Sequence, residues 1–151
     1  MSRKSAKIAA LIDGCRGRDL PAQYLGYFEC FNRQLYYEAH DVLEELWLAG
    51  GKRDANYGFY KGLIQIAGAF VHLQKNRLRP AAALFKLAQT YLRKYPSPHE
   101  RLDVAHLLAL AAAWTRELEQ KDFAENPLLH RAPPAVELEP GLVTGQRSAD
   151  L

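Results

Sequence analysis

The chain is 151 residues long, 48% apolar and 25% charged, with a formal net charge of +3. That size and mix belong to one globular domain with a real core and exclude a long disordered chain. The positive balance is too weak to imply nucleic acid, and Cys15 and Cys30 sit in no CxxC pair, which excludes a disulfide framework or a cysteine-built zinc site.

The two cysteines read as free thiols of a reducing compartment, so a cytoplasmic protein is expected. Ile8 to Ile12 is too short for the apolar region of a secretion signal. Leu107 to Trp114, the longest apolar run, falls far short of the roughly 20 residues that span a bilayer.

Residues 1–20 form a basic segment in which Ile8 to Ile12 supports at most a short helix, because Gly14 and Gly17 follow closely. Pro21 suits the first turn of a helix, with Asp19 before it as a cap. Tyr24, Leu25, Phe28 and Phe31 recur at helical spacing and carry that helix to about residue 33. A second helix covers about 35–49 and stops at Gly50-Gly51. Asp54 opens a third, running to about Asn76. A fourth covers 79–95 with Pro80 at its start, and a fifth begins at Ser97 or Pro98 and ends near 120. Beyond Glu125, Pro127, Pro133, Pro134 and Pro140 leave a tail with little regular structure. The expectation is an all-α, single-domain bundle of about five helices over 21–120, with a basic segment at 1–20 and a Pro-rich extended tail at 121–151.

The chemistry concentrates in two of these helices. At about 100° per residue, Tyr36, Ala39, Val42, Leu43, Leu46 and Trp47 form one apolar arc of the second helix. Glu38, Asp41 and Glu45 fall on the far side as a solvated stripe. His40 and Glu44, one turn apart, lie at the edge of the arc beside Trp47 and Tyr37. The third helix has a wide apolar arc and an opposite strip of Lys61, Gln65 and His72 among small residues. Gly58, Gly62 and Gly68 each weaken a helix by roughly 1 kcal/mol relative to alanine, so a close approach by another backbone or a ligand is expected. Gln65 in LIQIA and His72 in FVHL need polar partners if buried. The prediction is a polar cluster of His40, Glu44, Gln65 and His72, with Lys61 and one of Tyr36, Tyr37 or Tyr57 at its margin.

In the fourth helix Leu84, Leu87, Ala88, Tyr91, Leu92 and Tyr95 are expected to face the core. Its basic residues form a solvated face, paired with the acidic stripe of the second helix. Inward-pointing aromatics disfavour nucleic-acid stacking. Leu107 to Trp114 is apolar almost all round, which places it centrally or in a subunit interface, and a second copy of the chain is one partner to expect. His106 reads as a packed or hydrogen-bonded histidine.

FNRQLYYEAHDVLEELW followed by YKGLIQIAGAFVHLQKN resembles the family called domain of unknown function 309, over roughly residues 22–119. Its signature pairs an EAHE-x-LE-x-x-W helix with a K-G-L-I-Q-x-A helix. The matching positions are Glu38, His40, Glu44, Trp47, Lys61, Gly62, Gln65 and His72. Asp41 replaces a frequent Glu, and Pro80-Ala81 replaces a common Gly-Ala. The resemblance implies a small all-α domain and no particular activity.

Three roles fit the cluster: a network that sets helix register, a site for a small, anionic ligand or a partner protein, or an enzyme. In an enzyme of hydrolase or lyase type, His40 is the base, Glu44 orients it, and Lys61 holds an anionic group. No cofactor is expected. Were a divalent metal held, His40, Glu44 and His72 would be its ligands.

Overall fold

The structure is a computed structural model that describes residues 6–140. Its helices are α1 (Ala6–Asp13), α2 (Ala22–Asn32), α3 (Tyr36–Gly50), α4 (Tyr57–Gln74), α5 (Leu78–Leu92) and α6 (Val104–Gln120), with short 3₁₀ turns at Gly51–Arg53 and Pro127–Leu129. No strand occurs among the described residues, so the all-α expectation holds, with α1 as a short additional helix. No helix of the described residues is long and apolar enough to cross a membrane.

The boundaries follow local chemistry. Pro21, at φ −56° and ψ 141°, precedes the first turn of α2, where a missing N–H is no loss. Asp19 does not cap α2; its carboxylate pairs with Arg101 at 2.8 Å. Gln34, with φ 60°, separates α2 from α3. Gly51, with φ 64°, ends α3 in the left-handed region that glycine adopts without strain. Asp54 starts a turn rather than a helix: its Oδ1 accepts from Asn56 N at 2.9 Å, and α4 begins at Tyr57.

The start of α6 lies later than the sequence suggests. Residues 97–102 form a tight turn closed by the His99–Leu102 pairing, with Glu100 and Arg101 at φ 48° and 60°. Asp103 is the cap, its Oδ1 accepting from His106 N at 2.9 Å. The Ser97 hydroxyl still serves this end, accepting from Ala105 N at 3.0 Å. Ser97 is therefore a helix-start signal that acts across a turn instead of at its own position.

Consecutive helices pack side by side from α1 to α6, and the core is aromatic. Phe70 is its hub: Tyr36 stacks on it at 4.9 Å, while Phe31, Phe85 and Trp114 meet it edge-on at 5.5, 5.3 and 4.9 Å. Edge-to-face pairs add to area burial because a positive ring edge meets a negative face. Tyr27 donates to the Leu63 carbonyl of α4 at 2.6 Å, tying α2 across the core.

Three expectations for α5 and α6 change. Phe85, Ala81, Ala82, Ala88 and Leu92 form the buried face of α5, whereas Leu87 is 47% exposed. Lys86 of α5 pairs with Glu119 of α6, not with the acidic stripe of α3. Helix α6 is not central. Leu107, Ala111, Trp114 and Leu118 are buried, Ala109 and His106 are exposed, and the C-terminal arm crosses the remaining side.

That arm, residues 126–140, is extended as expected beyond the Pro127–Leu129 turn, and it is also packed. Asn126 is buried and donates to the Leu73 carbonyl at the end of α4 at 2.7 Å. Arg131 lies over the Trp114 ring at 4.6 Å and pairs with Glu117 at 2.8 Å. Glu139 N donates to the Arg101 carbonyl at 2.7 Å. The parts of the basic N-terminal segment before Ala6 and of the tail after Pro140 lie outside the described residues.

Candidate functional site: a cleft beside α3 and α4

Lys61, Gln65, Gly68 and His72 recur at helical spacing and form one strip of α4. The glycines let α5 come close. A Cβ at Gly62 would stand 2.7 Å from Leu92 Cγ and 3.3 Å from the Ala88 carbonyl oxygen. One at Gly58 would meet the Tyr95 hydroxyl at 3.1 Å, and one at Gly68 would meet Leu84 Cδ1 at 3.1 Å. The expected close approach is therefore by another helix.

A cleft of about 260 Å³ runs along this strip, lined by Tyr37 and His40 of α3, Ile64, Gln65, Gly68, Val71 and His72 of α4, and Leu84 of α5. Its walls are mainly apolar and its polar groups few, which is the usual make-up of a small-molecule site. The Tyr37 ring stacks near-parallel to His40, with centroids 6.1 Å apart. His40 Nε2 lies 4.0 Å from Glu44 Oε2, and both side chains are about a third exposed.

Three polar atoms of this lining, His40 Nδ1, Gln65 Oε1 and His72 Nδ1, are buried without a hydrogen-bond partner. Burial holds the His72 imidazole below its usual range, and the Arg77 and Lys75 cations push it the same way. His72 is therefore neutral near pH 7, with one ring nitrogen free to accept and the other to donate.

The cleft brings together Tyr37, His40, Gln65 and His72, and Glu44 reaches it through His40. Lys61 and Trp47 are not in its lining but meet each other. Lys61 Nζ lies 5.6 Å from the Trp47 ring centre, 6.0 Å from that of Tyr57 and 5.2 Å from that of Tyr91. The Trp47 indole N–H is buried without an acceptor. Of the three tyrosines weighed for the margin, Tyr37 lines the cleft, Tyr57 flanks Lys61, and Tyr36 is in the core. Glu38 and Asp41 are half-buried, so the stripe they share with Glu45 is less solvated than its spacing implies. Among the described residues no three His, Cys, Asp or Glu side chains come together to hold a metal.

Sequence reasoning missed the part of Tyr91, which it assigned to the core. Tyr91 is half-buried and covers Lys61. The available signal was its place on the stripe of Leu84 and Ala88 in α5, continued by Tyr95 just after it, that faces the glycines of α4.

Fold and cleft together define a small all-α domain whose two motif-bearing helices, α3 and α4, line one cleft. Residues 24–84 match the model of the family described as domain of unknown function (DUF309), and the resemblance carried by the two motifs is to that family. The match spans α2 to the middle of α5, shorter than the 22–119 read from the sequence, and it holds every residue of the cleft. No curated protein and no solved structure matches the chain.

Proposed function

We propose that the domain binds a small organic molecule in the cleft beside α3 and α4, in a reducing cytoplasm where Cys15 and Cys30 stay free. The observation that carries this reading is the set of three unpartnered polar atoms, His40 Nδ1, Gln65 Oε1 and His72 Nδ1, on an otherwise apolar lining. A buried polar atom without a partner costs about 1–3 kcal/mol, so three around one cleft weaken the empty fold and are satisfied by what enters. Gln65 Oε1 only accepts, so the molecule presents a donor to it. A cleft of about 260 Å³ suits one ring with its substituents.

The test uses Gln65→Leu. A ligand site predicts that the variant melts at the same temperature as the parent or higher. It also predicts that fragments shifting the Tyr37, Gln65, Gly68 and His72 amide signals of the parent lose affinity for the variant. A loss of about 2 kcal/mol in the variant would instead assign Gln65 to a register-setting network.

One observation favours a second reading, an acid–base enzyme: the 4.0 Å approach of Glu44 to His40 at the mouth of the same cleft. There Glu44 orients the imidazole and His40 moves the proton. Turnover of any bound substrate would then vanish in His40→Gln while binding persists.

A further inference from the structure

We infer that the face built by α3, α4 and α5 is where a second copy of this chain docks, about a two-fold axis running along α4. This goes beyond the binding proposal and does not need it. Three of the four large apolar side chains that stand exposed among the described residues belong to this face: Tyr37 (56%), Leu48 (65%) and Leu87 (47%). Tyr37, Asp41, Glu44 and Leu48 follow one another at helical spacing, so they form one ridge of α3, apolar at both ends and acidic between. Leu84, Leu87 and Tyr91 form a ridge of α5 in the same way. Tyr37, Gly68 and Leu84 line one cleft, so the two ridges flank a groove floored by α4. An apolar patch rimmed by charges marks an interaction surface.

The charges say what docks. Helix α3 carries Glu38, Asp41, Glu44 and Glu45 and no lysine or arginine, whereas α5 carries Arg79 and Lys86 and no carboxylate. Lys61 and Lys94 stand over one ring, that of Tyr91, at 5.2 and 5.7 Å from its centre. Among the described residues no carboxylate lies within 4.0 Å of either ammonium group. Glu44 is about a third exposed, and its approach to His40 is a long one at 4.0 Å. A face with acids on one ridge and uncompensated lysines across the groove is complementary to itself, which is what a two-fold interface requires.

The register agrees. His40 shares the cleft with Gln65, and Trp47 meets Lys61, so α3 runs against α4 with Glu44 level between Gln65 and Lys61. An axis parallel to α4 leaves these levels unchanged. The α3 ridge of each copy then lies in the groove of the other, as helix ridges pack into grooves. Glu44 of each copy comes to the Lys61 and Lys94 ammonium groups of the other. Tyr37 of each copy lies over Gly68 of the other, where glycine leaves room for a ring.

The experiment is sedimentation of the full chain. The parent is expected as a dimer at about 100 μM, because specific interfaces hold with micromolar or tighter affinity. Glu44→Lys and Lys94→Glu alter side chains at the surface, and each alone should weaken the dimer about ten-fold or more, since the same contact is spoiled twice by symmetry. Mixed in equal amounts, the two variants should associate more tightly than either does with itself, because each Glu44–Lys94 contact of the mixed pair again joins opposite signs. Leu48→Asp, at an exposed position, should also dissociate the dimer. A parent that stays monomeric overturns the second copy as the occupant. A dimer that keeps its affinity in all three variants forms through another face and overturns the assignment, and so does a mixture that regains nothing.

Discussion

Asn32 and Val136, 104 positions apart, exchange a pair of hydrogen bonds: Asn32 Nδ2 donates to the Val136 carbonyl at 3.0 Å, and Val136 N donates to Asn32 Oδ1 at 2.8 Å. A side-chain amide thus treats the arm as a strand treats its neighbour, satisfying both backbone groups of one residue. Val136 is only 5% exposed, so its side chain is fastened into the core by the same contact.

Asn32→Ala should therefore destabilise the protein by about 1–3 kcal/mol, because it leaves two buried backbone groups unpaired. The urea midpoint should fall, and limited proteolysis should cut the arm between 131 and 140 faster than in the parent. An unchanged midpoint would mean that the arm adds nothing to the bundle.

Two glycines of α4 should respond oppositely to alanine. At Gly62 the new methyl would sit 2.7 Å from Leu92 Cγ and 3.3 Å from a backbone oxygen that cannot yield, so α5 must move. A loss of about 1–3 kcal/mol is expected despite the gain in helix propensity. At Gly68 the one close atom is the tip of Leu84, at 3.1 Å, and a small rotation clears it. That variant should be neutral or up to about 1 kcal/mol more stable, with a narrower cleft. Thermal melts of the pair check the ordering.

His72 should make stability depend on pH in one direction. Its folded pKa is below the unfolded value of about 6.5, so between the two the unfolded chain binds more protons. The stability that a neutral His72 protects is complete above about 6.5. It is lost as pH falls through that value and levels off once the folded pKa is passed. Urea melts at pH 7.5 and 5.5 (values about one unit either side of that pKa) should show the parent losing more stability on acidification than His72→Leu. Equal losses would refute the assignment of a neutral His72.

The helices were legible because their signals are local. Pro21, the Gly50-Gly51 stop and the apolar spacing of α2 to α5 each act within a turn or two. The start of α6 was not, because Ser97 and Asp103 cooperate around a turn that requires left-handed Glu100 and Arg101, residues with no glycine-like signature. The cleft was readable in part for the same reason. His40, Gln65 and His72 stand out on their own helices by angle, and their helices are neighbours. Lys61 was placed at the right helix face but not among its rings, since Tyr91 comes from α5 and only three-dimensional packing brings it there.

The arm also sets an order of events. Helices α1 to α6 pack against their neighbours in the chain, so most of the bundle assembles from contacts that close short loops. Asn126 to Leu73 and Asn32 to Val136 close loops of 53 and 104 residues, which is entropically the slowest kind of closure here. The arm thus has the place of a latch rather than a nucleus: its contacts with Asn32 and Leu73 span a bundle whose own helices are joined by local contacts.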